Sequence, residues 1–156
     1  MSYEIEATAT TAATPEEIFK HLAVPEAWGE WGHFPTRARQ EREGDETPYG
    51  VGCVKRVPPA REQTVVYEPF THFAYIALAG LPVRNYRSDV RLERKGSVTL
   101  IRWQATFDRL IPGTGPLVRV GLWLMLVAFT RWLTGHAGRC DTACPAHRLA
   151  TPAAGA

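Results

Sequence analysis

The chain has no concentration of charge of one sign and too few cysteines for a disulfide framework. Its 156 residues carry 18 Lys and Arg against 16 Asp and Glu, a formal net charge of +2. Nucleic acids and anionic membranes are bound by clustered cations, so a partner of either kind is not predicted. The three cysteines, Cys53, Cys140 and Cys144, are not spaced as in secreted proteins. The first residues also lack the basic and apolar regions of a signal peptide. We therefore predict a cytoplasmic protein.

The short motifs that identify common catalytic and cofactor sites are absent as well. The sequence contains no Gly-x-Ser-x-Gly, no His-Glu-x-x-His and no phosphate-binding loop. Gly113-Thr-Gly115 precedes a predicted helix, but Val118 stands where a dinucleotide fingerprint needs its third glycine. No cofactor is predicted, no catalytic residue is identified, and whether the protein is an enzyme stays open.

No run of apolar residues is long enough to predict a membrane span. Residues 120–129 carry no charge, but Arg119 and Arg131 bracket them, and roughly 20 residues are needed to cross a bilayer. The longer segment 117–133 is apolar almost all the way round. A soluble protein can bury such a helix only by wrapping other elements around it, and a curved sheet would serve.

Alternating residues and turn signals predict an antiparallel sheet before that helix. Thr14-Pro15-Glu16-Glu17 is typical of a helix start, and a second short helix carries Trp28 and Trp31. Segment 37–43, if it is a strand, is charged as edge strands often are. The predicted strands are 3–11, 53–57, 61–68, 71–79, 84–94 and 97–107. We predict one α+β domain over residues 1–138, with a curved antiparallel sheet wrapped around the long C-terminal helix. Residues 139–156, rich in Ala, Pro and Thr, are predicted to be a disordered tail.

Seven short stretches of sequence, together with this order of elements, resemble a known protein family. They are Thr14-Pro-Glu-Glu-Ile-Phe, Trp28-Gly-Glu-Trp31, Gly50-Val-Gly-Cys-Val-Lys-Arg56, Tyr67-Glu-Pro-Phe70, Gly80-Leu-Pro-Val83, Trp103-x-x-x-Phe107 and Pro112-Gly-Thr-Gly115. Over about residues 1–138 the chain resembles the SRPBCC superfamily, also called START-like or birch-allergen-like. Within it, the chain resembles the bacterial polyketide cyclase/dehydrase and lipid-transport group. The charged segment 37–43 departs from that pattern, since members usually have a more apolar strand there.

The resemblance implies a helix-grip fold with an apolar cavity between the sheet and the C-terminal helix. It further implies that a lipid, polyketide or other large hydrophobic molecule binds there. Functions across the superfamily range from carriage to ring cyclisation and dehydration, and the fold does not decide between them.

Candidate ligand-binding residues lie on the predicted inner faces of the sheet and helices. A buried hydroxyl there needs a partner, which is a ligand carbonyl, a backbone carbonyl or a water. The aromatic candidates line the cavity or form plain core. The candidates are Trp28, Trp31, Arg56, Phe73, Tyr75, Tyr86, Ser88, Trp103 and Met125.

Lys55 and Arg56 are neighbours on one strand, so one of them faces inward whichever register holds. An inward cation would hold a carboxylate or an enolate. The alternative is a salt bridge at the rim of the cavity. The place of Arg56 in the resemblance makes it the candidate of the two.

The histidines and the tail cysteines do not predict a metal site. His136, Cys140, Cys144 and His147 carry suitable atoms, but their spacing matches no common zinc pattern and lies in the predicted tail. His33, near the predicted mouth of the cavity, is either a general base or an exposed loop residue.

Three functions remain open. The first is binding of a hydrophobic small molecule, lipid or polyketide-like. The second is a polyketide aromatase, cyclase or dehydrase in which Arg56, Tyr86 or Ser88 handles protons. The third is a lipid- or quinone-presenting role, with a homodimer or protein partner bound through the region of Trp123. An enzyme needs convergent polar groups deep in the cavity, whereas a carrier needs an apolar wall with perhaps one polar anchor.

Overall fold

The computed structural model describes residues 2–149 and has one antiparallel sheet of seven strands, in the order β1-β7-β6-β5-β4-β3-β2. The strands are β1 (Ser2–Thr11), β2 (Arg39–Arg42), β3 (Val54–Val57), β4 (Ala60–Glu68), β5 (His72–Ala79), β6 (Val83–Lys95) and β7 (Val98–Arg109). The α-helices are α1 (Pro15–Ala23), α2 (Trp28–Trp31) and α3 (Gly115–Ala137), with short 3-10 helices at Pro25–Ala27 and Pro145–Arg148. The predicted helix-grip fold is confirmed.

Local sequence signals explain where α1 begins and what it buries. The Thr14 hydroxyl accepts a hydrogen bond from the Glu17 backbone N–H at 3.2 Å, and a proline occupies the first turn, where its missing N–H costs nothing. Ile18, Phe19 and Leu22 are fully buried on the inner face of the helix. With this face, α1 packs against β5, β6 and α3.

Strands β6 and β7 contribute many of the buried core residues of the sheet. Their pairing places Ser88 opposite Ala105 and Val90 opposite Trp103, and all four residues are buried. Alternate residues of the same strands are more exposed, as the period of two in the sequence predicts. At the far edge of the sheet lies β2, which is the short, charged edge strand that the sequence suggested.

Helix α3 is covered on one side only, which is less than the sequence predicted. Leu122, Leu126, Phe129 and Leu133 are buried in the core of the domain. On the opposite side, exposure is 78% at Leu117, 55% at Val120 and 54% at Leu124. The sheet can contact only one side of this helix. Within residues 2–149, no other element covers the side that carries Leu117, Val120 and Leu124.

Among the described residues, α3 is also the one helix long and apolar enough to cross a membrane by length and composition alone. The core helix of a water-soluble protein passes the same test. Here the helix packs on the sheet through its buried leucines and Phe129.

The segment after α3 differs from the predicted disordered tail over residues 139–149. The 3-10 helix Pro145–Arg148 packs on the residues that follow α1. Cys144 and Ala146 are buried there against Val24 and Ala27. Small side chains allow this close approach although the segment has few large apolar residues. Residues 150–156 of the predicted tail lie outside the described residues.

Candidate functional site

A cavity of about 240 Å³ lies between α3 and the hairpin of β3 and β4. Its walls are Phe34, Met125, Phe129 and Trp132 on the helical side and the β3–β4 turn, residues 57–60, on the sheet side. His33 and Glu62 are its polar lining residues. Cavities for drug-sized ligands span roughly 300–1,000 Å³, so this one is smaller than most of them.

Closely packed aromatic rings lie beside this cavity. The ring centroids of Trp28 and Trp31 are 4.8 Å apart, and those of Trp31 and Phe129 are 5.8 Å apart. Trp103 stands 5.7 Å from Phe129. The three candidate tryptophans are therefore close-packed core next to the cavity, while Met125 and Phe129 line it.

A larger groove of about 670 Å³ lies elsewhere, between the edge strand β1 and α3. It is lined by Glu4, Glu6, Arg119, Val120 and Trp123 and opens broadly to solvent. The Trp123 indole, 43% exposed, donates a hydrogen bond to the Glu6 backbone carbonyl at 3.1 Å. We place the candidate site in the smaller cavity because only that one meets the buried polar groups described next.

The inward cation is Lys55, and the prediction for Arg56 is wrong. The Arg56 side chain is 51% exposed and forms a salt bridge with Glu41 at 2.9 Å, which Arg61 shares at 3.0 Å. Because successive residues of a strand face opposite sides of a sheet, an outward Arg56 leaves Lys55 facing the core. Lys55 is 1% exposed.

Lys55 pairs with Glu62 inside the protein. Its ammonium nitrogen Nζ lies 3.3 Å from Oε2 of Glu62, and both side chains are almost fully buried. The same nitrogen stands 4.5 Å from the ring centroid of Tyr75, 4.8 Å from that of Trp28 and 5.2 Å from that of Phe73. Rings at these distances stabilise a cation through their negative faces.

Burial controls the titration of this pair. Loss of water lowers the pKa of the Lys55 amine and raises the pKa of the Glu62 carboxyl, and the attraction between the two acts in the opposite sense on each. Burial also raises the pKa of Tyr86, and the charge of Glu62 raises it further. These perturbed groups are of the kind that cluster at functional sites.

Three polar atoms of this cluster lack a hydrogen bond of good geometry within the described part of the chain. They are Nζ of Lys55, Oε2 of Glu62 and the hydroxyl of Tyr86. A buried polar atom without a partner costs roughly 1–3 kcal/mol, so such atoms are uncommon in folded proteins. Glu62 lines the cavity. The ammonium nitrogen of Lys55 is 3.3 Å from Oε2 of Glu62.

Ser88 differs from these three because the protein satisfies it. Its hydroxyl accepts a hydrogen bond from the Trp103 indole at 2.7 Å and donates one to the Gln104 backbone carbonyl at 3.2 Å. Tyr75 and Tyr86 are buried beside each other, with ring centroids 6.4 Å apart, and Phe73 packs on Tyr75 at 6.2 Å. These candidates belong to the core around the polar cluster.

Glu62 is the residue that sequence reasoning missed, although a signal for it exists. Strands β3 and β4 form a hairpin around Pro58-Pro59, in which Val57 pairs with Ala60 and Lys55 pairs with Glu62. Counting residue pairs outward from the turn places Lys55 directly across from Glu62, and their charges are opposite. An inward Lys55 therefore implies an inward Glu62.

Potential metal ligands gather at a second place, outside this cavity. His21, His136, Cys140 and Cys144 lie where α1 and the end of α3 meet the segment that follows α3. His147, which the sequence grouped with the cysteines, is not a member of this set.

Comparison with known proteins supports one family and one fold. A family model described as "Polyketide cyclase / dehydrase and lipid transport" matches residues 2–139. Comparison with curated protein sequences gives no significant match. Many solved structures are similar in fold, and two of them serve as examples. Ara h 8.0201 has 15% identity and a TM-score of 0.72, and the match covers 89% of this chain and 99% of that protein. A START superfamily protein from Mycobacterium smegmatis has 17% identity and a TM-score of 0.73, covering 88% of this chain and 99% of its own.

Proposed function

Because the chain belongs to the polyketide cyclase/dehydrase and lipid transport family, we propose that it binds a neutral hydrophobic molecule with a hydroxyl or carbonyl group at one end. The apolar body lies against Met125, Phe129 and Trp132, and the polar end meets Glu62. The observation that carries the proposal is that Glu62, whose buried Oε2 lacks a hydrogen bond of good geometry within the described residues, lines an apolar cavity.

The charge of the cluster favours a neutral polar group over a carboxylate. Lys55 and Glu62 compensate each other at 3.3 Å, so no net positive charge is left to hold an anion. A ligand carboxylate would also stand next to Glu62, and like charges in a dry site repel strongly. A hydroxyl can donate to Glu62, which lines the cavity, and a carbonyl that reaches beyond the lining residues can accept from Lys55, whose ammonium is 3.3 Å from Glu62.

Native mass spectrometry of freshly purified protein, with extraction of bound compounds, tests this directly. Thermal stability is then measured with long-chain alcohols, methyl ketones and fatty acids of equal chain length. We expect the neutral compounds to raise the melting temperature more than the acids. Equal stabilisation by the acids, or none by any compound, would contradict the proposal.

A matched pair of variants locates the binding. Met125→Trp fills the cavity and should abolish the ligand-induced rise in melting temperature. Leu124→Trp places the same side chain at the preceding residue, which is 54% exposed, and should leave the rise intact.

A second candidate function is cyclisation or dehydration of a polyketone, favoured by the acid–base character of Glu62. Its carboxylate would take a proton from a carbon between two carbonyls, and the ammonium of Lys55 would stabilise the enolate. The enolate carbon attacks another carbonyl of the same chain, and the new alkoxide takes the proton that Glu62 removed. For dehydration, Glu62 removes the second proton from the same carbon and gives it to the departing hydroxide, which leaves as water. Incubation with a soluble triketone, followed by mass spectrometry, tests this. Product that forms equally fast with Glu62→Gln would refute it.

Other predictions from the sequence stay predictions. They are the cytoplasmic location and a homodimer or protein partner at the Trp123 region, including the lipid- or quinone-presenting role.

A further inference from the structure

Four side chains with metal-ligating atoms converge between α1, α3 and the segment that follows α3. They are His21, His136, Cys140 and Cys144, and one ligand atom of each lies within 4.8 Å of all the others. Sγ of Cys144 stands 3.7 Å from Nε2 of His21 and 3.6 Å from Nε2 of His136. Two histidines and two cysteines form one of the standard donor sets of structural zinc.

The separations fit a tetrahedral ion. Zinc binds thiolate at about 2.3 Å and imidazole at about 2.0–2.1 Å, so sulfur and nitrogen on one tetrahedral ion are about 3.6 Å apart. The two measured sulfur–nitrogen distances are 3.7 and 3.6 Å. These atoms could be bridged by one ion with little movement of the backbone.

His21 is oriented for this role by a hydrogen bond on its other nitrogen. Nδ1 lies 2.6 Å from the Glu17 backbone carbonyl and must donate to it, which leaves the lone pair of Nε2 directed at the cluster. Metal-binding histidines typically donate their second N–H in this way.

His147 lies near the cluster but uses both nitrogens elsewhere. Its Nε2 donates to the Asp141 carbonyl at 2.9 Å, and its Nδ1 accepts from the Lys20 ammonium at 3.1 Å. Its distance from Sγ of Cys140 is 3.6 Å, so proximity alone does not decide between the two histidines. The hydrogen bonds assign His21 as the ligand.

We infer that His21, His136, Cys140 and Cys144 bind one zinc ion that holds residues 138–149 on α1 and α3. Two thiolates balance the charge of the ion, and four protein ligands leave no open position, as in structural rather than catalytic zinc sites. A cavity of about 230 Å³ beside His136 and Cys144 gives the ion a path from solvent. This inference departs from the sequence prediction that no metal is bound.

The full chain, purified without an affinity tag and kept reduced, is loaded with zinc, desalted and measured by elemental mass spectrometry. We expect one zinc per chain, and cobalt in its place should give the intense visible absorption of a tetrahedral site with two thiolates. Cys140→Ser and Cys144→Ser should each lower the bound zinc to about none. Cys53→Ala changes the third cysteine, which lies elsewhere, and should keep one zinc per chain.

The choice of histidine gives a second test. His21→Gln should lose the ion, whereas His147→Gln should retain it. Because His21 is buried, the cobalt spectrum of the unaltered chain provides a readout that does not depend on that variant folding. No zinc in the loaded, reduced protein, zinc that persists in the Cys140→Ser/Cys144→Ser double variant, or zinc that is lost in His147→Gln but kept in His21→Gln would overturn the inference.

Discussion

Replacing Lys55 and Glu62 singly and together tests whether their buried pair is a cost to folding. The two side chains face each other across the β3–β4 hairpin, and both are almost fully buried. Lys55→Met leaves a carboxylate without its counter-charge, and Glu62→Leu does the same to the ammonium. The double variant removes both charges and keeps apolar side chains of similar volume.

The magnitudes follow from desolvation. Removing one partner of a buried ion pair costs about 3–5 kcal/mol, whereas replacing both by apolar residues is neutral or stabilising by about 1–4 kcal/mol. We expect each single variant to lose about 3–5 kcal/mol of unfolding free energy at neutral pH. The double variant should be at least as stable as the unaltered protein, and it should lose the ligand response.

The pH dependence of Lys55→Met has a definite sign. Without Lys55, burial alone acts on Glu62 and keeps its folded-state pKa above the ordinary value of 4.5. The folded state then binds the proton more tightly than the unfolded chain, so stability is highest below that ordinary value and falls as the pH rises through the folded-state pKa. The deficit of Lys55→Met relative to the unaltered protein should therefore shrink as the pH falls toward 4.5.

Urea unfolding followed by circular dichroism, at several pH values, measures these differences. The control is the exposed Arg56–Glu41 pair on the same hairpin, where Arg56→Met and Glu41→Leu should have much smaller effects. If the losses of Lys55→Met and Glu62→Leu simply add in the double variant, the two residues do not interact and the reasoning fails.

Three further predictions concern other parts of the protein. The first two are measured by the same urea unfolding, and the third by thermal unfolding. Tyr86→Phe removes a buried hydroxyl that has no partner within residues 2–149, so stability should stay unchanged or rise by about 1 kcal/mol; a loss above that size would show that the hydroxyl is bonded. Ser88→Ala removes the acceptor of the Trp103 indole and should cost about 1–3 kcal/mol, and no loss would show that the indole finds another partner. Deleting residues 139–156 uncovers the surface beneath Ala146, so the melting temperature should fall; an unchanged value would show that this segment contributes nothing to stability.

Elements with local signals were predictable from the sequence. The cap at Thr14, the alternation of β6 and β7 and the existence of the long apolar helix α3 each depend on residues close together in the chain. The element order also implies a space between sheet and helix, and a ligand site in that space stays a prediction. The identity of the cation facing that space was not predictable, since adjacent cations on one strand make either register plausible.

The remaining differences come from contacts between distant parts of the chain. His21 meets Cys144 because α1 and the end of α3 come together in the fold, and no sequence spacing carries that information. In the same way, exposure of Leu117 and Val120 depends on how much of α3 the sheet covers, which composition cannot show.

The Lys55–Glu62 pair connects the stability of the core with the chemistry of the cavity. An apolar pair would hold β3 against β4 without the desolvation cost, so the charges contribute little to folding. In a dry site, however, a hydrogen bond to Glu62 is stronger than in water, and an unpaired polar atom is more costly. A pure hydrocarbon would leave Oε2 of Glu62 without a hydrogen bond, whereas a ligand with a hydroxyl at one end would satisfy it. Discrimination between ligands should therefore depend on that polar end, because the apolar walls hold any chain of suitable width about equally well.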